Sequence, residues 1–258
     1  MRPTKIIFVI FWIVFGCTCP QVAFADLPNT IEKVKPSIVA VGTFKKTSSP
    51  QFVLRGTGFV VGDGNHIATN AHVVPETFSP EDPILVVQVR GDQGTLQLRR
   101  ALLTKQDIEH DLAVLTIEGA SLPALPMANS DFVREGQQVT FTGFPIGGAL
   151  GFSPVTHRGI VSSITPIALP SGNVRQLNEK LIQRLKNGVF NIFQLDATAY
   201  PGNSGSPVFN PETGDVIGVI NMVFIKSTRE AALSTPSGIT YAIPVNFLTE
   251  LLRQSAIR

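Results

Sequence analysis

The strongest constraint on this chain is how often its apolar runs are interrupted. From Ile31 onward, residues rich in Val, Ile, Phe and Thr come in short stretches. Each is cut by Gly, Pro, Asn or Asp before a helix of several turns could form. Residues 37–43, 52–61, 84–90, 95–103 and 111–117 read as strands of a first set. Residues 122–135 contain proline and lack a clear period, which marks a linker. Residues 137–143, 159–164, 189–195, 206–210, 216–224 and 239–243 form a second set. Two groups of about six strands joined by a connector predict an all-β chain of two small antiparallel barrels. The boundaries fall at about 31–120, 121–135 and 136–245.

Two helices are expected beside the strands. Residues 176–186 place Leu177, Leu181, Ile182 and Leu185 on one face, in an insertion before the serine-containing turn at 201–210. Residues 246–254 do the same with Phe247, Leu248, Leu251 and Leu252, with Asn246 as the N-cap after Pro244.

The first 25 residues read as an export signal rather than as part of the fold. Arg2 and Lys5 precede an unbroken apolar run over 6–15, and Ala23-Phe24-Ala25 supplies a small-residue cleavage site before Asp26. The run is too short to hold the chain in a bilayer, so no stable span is expected after cleavage. Lipid attachment at Cys17 is the competing reading, disfavoured by the bulk of Phe15. Removing the signal lowers Lys+Arg from 21 to 19, equal to the 19 Asp+Glu. The remaining chain is formally neutral and gives no electrostatic reason to bind nucleic acid. Cys17 and Cys19 leave with the signal, so neither a disulfide nor a thiol nucleophile is expected in the exported, periplasmic or secreted protein.

Against this background, residues 201–210 (PGNSGSPVFN) stand out. Glycine on both sides of Asn203-Ser204 lets a substrate carbonyl approach bare backbone, and the amides of Gly202 and Ser204 could converge on an oxyanion. A serine hydroxyl needs a base, and the base needs an orienting group. TNAHVV at 69–74 ends a strand at His72, and HDLAVL at 110–115 opens another at Asp111. An imidazole titrates near neutrality, and a carboxylate fixes its tautomer, so His, Asp and Ser together suit acyl transfer. Asp107 is a nearby rival for the carboxylate role. His66, His72, His110 and His157 show no metal-ligand spacing, and no cofactor is called for.

These segments resemble a trypsin/chymotrypsin-fold serine endopeptidase, specifically an HtrA/DegP-type protease domain. The resemblance rests on GTGFVV at 56–61, TNAHVV, HDLAVL, VTFTGFPIGG at 139–148, HRGIVSSI at 157–164 and LDATAYPGNSGSPVFN at 195–210. It continues through VIGVINMVF at 216–224 and GITYAIPVNFL at 238–248. It implies two six-stranded chymotrypsin-like barrels with a C-terminal helix and a short helical insertion. It implies His72 as general base, Asp111 as its orienter, Ser204 as nucleophile, and the Gly202 and Ser204 amides as the oxyanion hole. Asp111 directly precedes the apolar strand, as the family's aspartate does. The implied substrates are polypeptides, unfolded proteins among them, with a homo-oligomer left open.

Three departures shape the expectation. Ser206 stands where these enzymes usually carry glycine, as in glutamyl endopeptidases of the same fold. Residues 219–223 have no histidine, however, so an apolar or small primary pocket is expected. Its lining would come from Thr198, Asn221, Met222, Val223, Gly238, Ile239 and Thr240. Asn203 replaces the aspartate that pairs with a new N-terminus in trypsin-like zymogens, so activation by ordering of 169–190 or 225–237 is expected instead. About fifteen residues follow Pro244, so no PDZ module is expected. The rival reading is a catalytically weak protein-binding or chaperone-like module on the same fold. An esterase on the same three side chains is a third.

Overall fold

The computed structural model describes residues 26–75, 82–91, 94–146, 152–167, 190–221, 238–255 and 257. The first barrel is built from β1 (Ile38–Phe44), β2 (Phe52–Val61), β3 (His66–Thr69), β4 (Ile84–Arg90), β5 (Leu96–Asp107) and β6 (Leu112–Ile117). The second contains β7 (Gln138–Gly143), β8 (Val155–Pro166), β9 (Asn191–Asp196), β10 (Pro207–Phe209), β11 (Val216–Asn221) and β12 (Ile239–Pro244). Each closes on itself, in the orders β1-β2-β3-β6-β5-β4 and β10-β11-β12-β9-β8-β7, and the paired strands are antiparallel. Closure removes the exposed edges that would otherwise template aggregation.

The burial patterns explain why the apolar runs are continuous rather than alternating. β2 alternates over its first four residues and is then buried throughout from Gly56 to Val61. One face of that half fills the first barrel, with Val60 packed beside Val39, Ile67 and Leu115. Phe59 and Val61 face the other way, into a seam shared with Leu112, Phe209, Ile243 and Leu248. A strand buried on both faces reads as an unbroken hydrophobic run. The second barrel has its own core of Val139, Phe141, Val161, Leu195, Val208 and Ile220. Helix α2 (Val245–Gln254) follows β12 and lays Val245, Leu248, Leu251 and Leu252 into the seam.

The helix expected over 176–186 lies outside the described residues. A helix the sequence reading did not anticipate, α1 (Leu27–Val34), precedes the first barrel. Asp26 sits at its N-cap and Pro28 in its first turn, where a missing N–H costs nothing. Its Thr30 and Val34 are buried against the tight turn at Gly214, and the Thr30 hydroxyl donates to the Glu212 carbonyl. Among the described residues, no helix is long and apolar enough to cross a membrane.

His157 lies on β8 directly opposite Phe141, with the rings stacked 4.8 Å apart. Burial lowers its pKa from the ordinary 6.5, and its Nε2 has no hydrogen-bond partner. A histidine that resists protonation only when folded leaves stability intact above pH 6.5. That stability is lost as the pH falls from there through the lowered folded value, because the unfolded chain binds the proton first. His157→Phe keeps the ring stack and removes the proton site. The drop in melting temperature between pH 7 and pH 5 is therefore expected to be smaller in this variant than in the parent. Equal drops, followed by calorimetry, would refute the assignment.

Candidate active site

His72 stands three residues beyond the end of β3, in a one-turn helix (Ala71–Val73), and not on the strand end itself. Asp111 stands immediately before β6, in the tight turn after β5. It adopts φ +54°, a left-handed conformation that aspartate tolerates better than most residues. The turn is held at three points. The Asp111 carbonyl accepts from the Ala71 amide at 3.1 Å and from Asn70 Nδ2 at 3.0 Å, while its Oδ1 accepts from the His72 amide at 2.9 Å. These bonds leave Oδ2 aimed at the imidazole, and His72 Nδ1 lies 2.6 Å from it. Asn221 Nδ2 also donates to Oδ2, at 2.7 Å. Asp111 is 3% exposed, so its charge is balanced by three donors rather than by water.

Asp107 is engaged elsewhere. It holds His110, with Oδ2 2.6 Å from Nδ1 and Oδ1 accepting from the His110 amide at 3.1 Å. Burial alone would push the Asp107 carboxyl up, but these bonds outweigh it and hold its pKa below 3.8. The His110 ring in turn stacks on Phe247 of α2 at 3.8 Å. Of the two candidate carboxylates, only Asp111 meets His72.

Ser204 sits between β9 and β10 in a loop whose bends need glycine, with Gly202 at φ +105° and Gly205 at φ +86°. The loop is laced to its surroundings by backbone bonds: Asn203 N to Tyr200 O, Ser206 N to Asn203 O, Gly205 N to Ile220 O and Ile146 N to Pro201 O. The Thr57 amide on β2 donates to the Ser204 carbonyl at 2.8 Å. Gly56 brings the two halves together, since a Cβ there would lie 2.8 Å from Ser204 O and 2.7 Å from Val73, next to His72. Among the described residues, the amides of Gly202 and Ser204 donate no hydrogen bond, and neither does the Ser204 hydroxyl. The Ser204 loop and the segment that carries His72 thus meet across Gly56.

The residues expected to line a pocket divide three ways. β12 pairs with β9, placing Ile239 opposite Asp196, and the Ala197 amide donates to the Gly238 carbonyl at 3.0 Å. The Thr240 hydroxyl donates to Ala197 O at 2.6 Å and accepts from Ala199 N at 3.1 Å. Thr198, Gly238, Ile239 and Thr240 therefore lie together beside the chain leading into Ser204. Asn221 turns its amide to Asp111, joining β11 of the second barrel to the histidine–carboxylate pair of the first. Met222 and Val223 lie outside the described residues. No group of three His, Cys, Asp or Glu converges as a metal site among the described residues.

Two closed six-stranded barrels, with a histidine–carboxylate pair on one and a glycine-bent serine loop on the other, define the chymotrypsin-like class. The family profile described as "Trypsin-like peptidase domain" matches residues 56–219, and the chain belongs to that family. It is 31% identical over 199 residues to a probable periplasmic serine endoprotease, DegP-like, of Pseudomonas fluorescens, covering 77% of this chain and 34% of the relative. It is 30% identical over 214 residues to the mitochondrial serine protease HTRA2 of Drosophila pseudoobscura pseudoobscura, covering 82% of this chain and 42% of the relative. Among solved structures, the HtrA-type protease AlgW with tripeptide aligns with a TM-score of 0.62 and 27% identity, over 90% of this chain and 64% of that one. This chain thus spans well under half the length of these two relatives.

Proposed function

We propose that this chain is an exported serine endopeptidase that hydrolyses peptide bonds through an acyl-enzyme. The observation that carries the reading is the 2.6 Å contact between His72 Nδ1 and a buried carboxylate fixed by two further bonds. With Nδ1–H donating to Asp111, the neutral imidazole carries its lone pair on Nε2, the atom that would serve Ser204 as base. Ser204 Oγ attacks the substrate carbonyl carbon as Nε2 takes its proton. The oxyanion is met by the Gly202 and Ser204 amides, which have no competing acceptor among the described residues. The imidazolium then protonates the departing amine, and water repeats the sequence on the acyl-enzyme.

The segments beside Ser204 support cleavage after small or apolar residues. Thr198, Gly238, Ile239 and Thr240 carry no charge, and the Thr240 hydroxyl is already occupied at both its donor and acceptor. Selectivity of this kind amounts to about 1–3 kcal/mol per methylene. Export to the periplasm or the medium follows from the signal-like residues 1–25 and agrees with the DegP-like relatives.

Incubation with a biotinylated fluorophosphonate tests the reading. The expected result is a single adduct mapping to Ser204, with hydrolysis of unfolded casein falling in proportion to labelling. Absence of both, with and without added peptides, would favour the protein-binding module. Cleavage of small esters alone would favour an esterase.

A further inference from the structure

We propose that the Thr57 hydroxyl is a positioning group for the oxyanion loop, acting from the opposite barrel; the proposal rests on the Ser204 reading above. Thr57 is fully buried on β2 and makes four hydrogen bonds, all to segments that carry the site. Its amide donates to the Ser204 carbonyl at 2.8 Å, and its carbonyl accepts from the Thr69 hydroxyl, three residues before His72, at 2.7 Å. Its own hydroxyl lies 3.0 Å from the Phe144 amide and 2.7 Å from the Gly202 carbonyl.

The direction of these last two bonds is fixed by chemistry. A backbone amide can only donate, so the hydroxyl accepts from Phe144 and gives its one proton to the Gly202 carbonyl. That carbonyl and the Asn203 N–H belong to one peptide plane. The N–H end is held by Tyr200 O at 2.9 Å, and the C=O end by Thr57. The plane lies between the two amides that would receive an oxyanion, so pinning it at both ends fixes their relative aim.

No other described side chain does this work. Asn203, in the same peptide and 0% exposed, has neither Oδ1 nor Nδ2 hydrogen-bonded, and the Ser206 hydroxyl is also unpaired. These groups crowd around Gly143, where one point lies within 2.8 Å of Ser206 Oγ, Asn203 Oδ1 and Thr57 Oγ1 together. If the Thr57 proton is removed, the Gly202 carbonyl can turn towards unpaired donors on Asn203 or Ser206. The lost bond is then replaced, and the loop settles with its amides misdirected. The Phe144 amide loses its acceptor at the same time, so a loss of stability accompanies the loss of turnover.

The test compares Thr57→Val, which exchanges the hydroxyl for a methyl of similar shape, with Thr57→Ser, which keeps it. Readouts are kcat and KM on a peptide substrate, the inhibition constant of a peptide boronic acid that forms a tetrahedral adduct, and the melting temperature. Thr57→Val should lower kcat by roughly 10- to 100-fold and weaken the boronic acid by a similar factor, with KM within about twofold. Thr57→Ser should stay within about threefold of the parent in kcat, KM and inhibition constant. Unchanged kcat in Thr57→Val, a loss confined to KM, or an equal loss in Thr57→Ser would each overturn the proposal. Should Thr57→Val fail to fold, Thr57→Ala against Thr57→Ser isolates the same oxygen. Failure of the parent reading is separately visible, because the unmutated chain would then show no fluorophosphonate-sensitive hydrolysis, and both proposals would fall.

Discussion

Asp111→Asn should lower kcat by about 10,000-fold while leaving the fold and KM close to the parent. The reason is a count of donors. One carboxylate oxygen accepts from the His72 amide, and the other from His72 Nδ1 and Asn221 Nδ2. An asparagine amide can put an acceptor at only one of these places. If its oxygen faces the ring, its NH2 meets the His72 N–H, and two donors oppose each other in a buried site. If its NH2 faces the ring, His72 must accept at Nδ1. The proton then moves to Nε2, and the atom meant to deprotonate Ser204 has no free lone pair. The second arrangement removes the base without removing the imidazole, and the first sets two donors against each other in a buried site. Asp107→Asn is the control, because that carboxylate is spent on His110. It should leave kcat within about threefold of the parent, as expected for a side chain remote from the reacting atoms. Steady-state kinetics on both variants decides the matter: similar losses in the two, or a loss under about tenfold in Asp111→Asn, would remove Asp111 from its role.

That choice between two aspartates was legible through the family resemblance, because the family's aspartate directly precedes an apolar strand, which is a local mark. Asp111 abuts an apolar strand, and Asp107 precedes His110 by three residues, a spacing that favours a turn bond between them. The barrels were legible for a similar reason, since Gly, Pro, Asn and Asp punctuation reports strand ends directly. What escaped depends on contacts far apart in the chain. Asn221 lies within a run that resembles a pocket wall of the family, and nothing near it in sequence signals a carboxylate 110 positions away. Thr57 sits in a strand motif, where threonine is simply a good strand former; its partner Gly202 is 145 residues distant. Helix α1 did carry a local signal, with Asp26 and Pro28 ahead of Ile31 and Val34, but eight residues offer little periodicity. Its stability comes from packing on the Gly214 turn, which no window of sequence contains.

Gly205→Ala should abolish detectable activity and destabilise the chain by at least about 3 kcal/mol. Two costs combine. At φ +86° an L-residue is strained wherever it stands. In addition, the new Cβ would fall 2.1 Å from the Thr57 carbonyl oxygen and 2.5 Å from the Thr69 hydroxyl. Neither atom can yield easily, because they are hydrogen-bonded to each other at 2.7 Å and both residues are fully buried. The loop must therefore retreat, carrying Ser204 away from His72. Gly136→Ala separates the two costs. Gly136 has nearly the same dihedral, φ +83°, yet nothing lies within 4 Å of the Cβ position. Only the backbone term applies there, about 1–2 kcal/mol. Urea unfolding of both variants gives the comparison. If Gly205→Ala costs no more than Gly136→Ala, the packing of β2 against the serine loop is looser than described, and the rigid attachment of Ser204 to the first barrel is wrong.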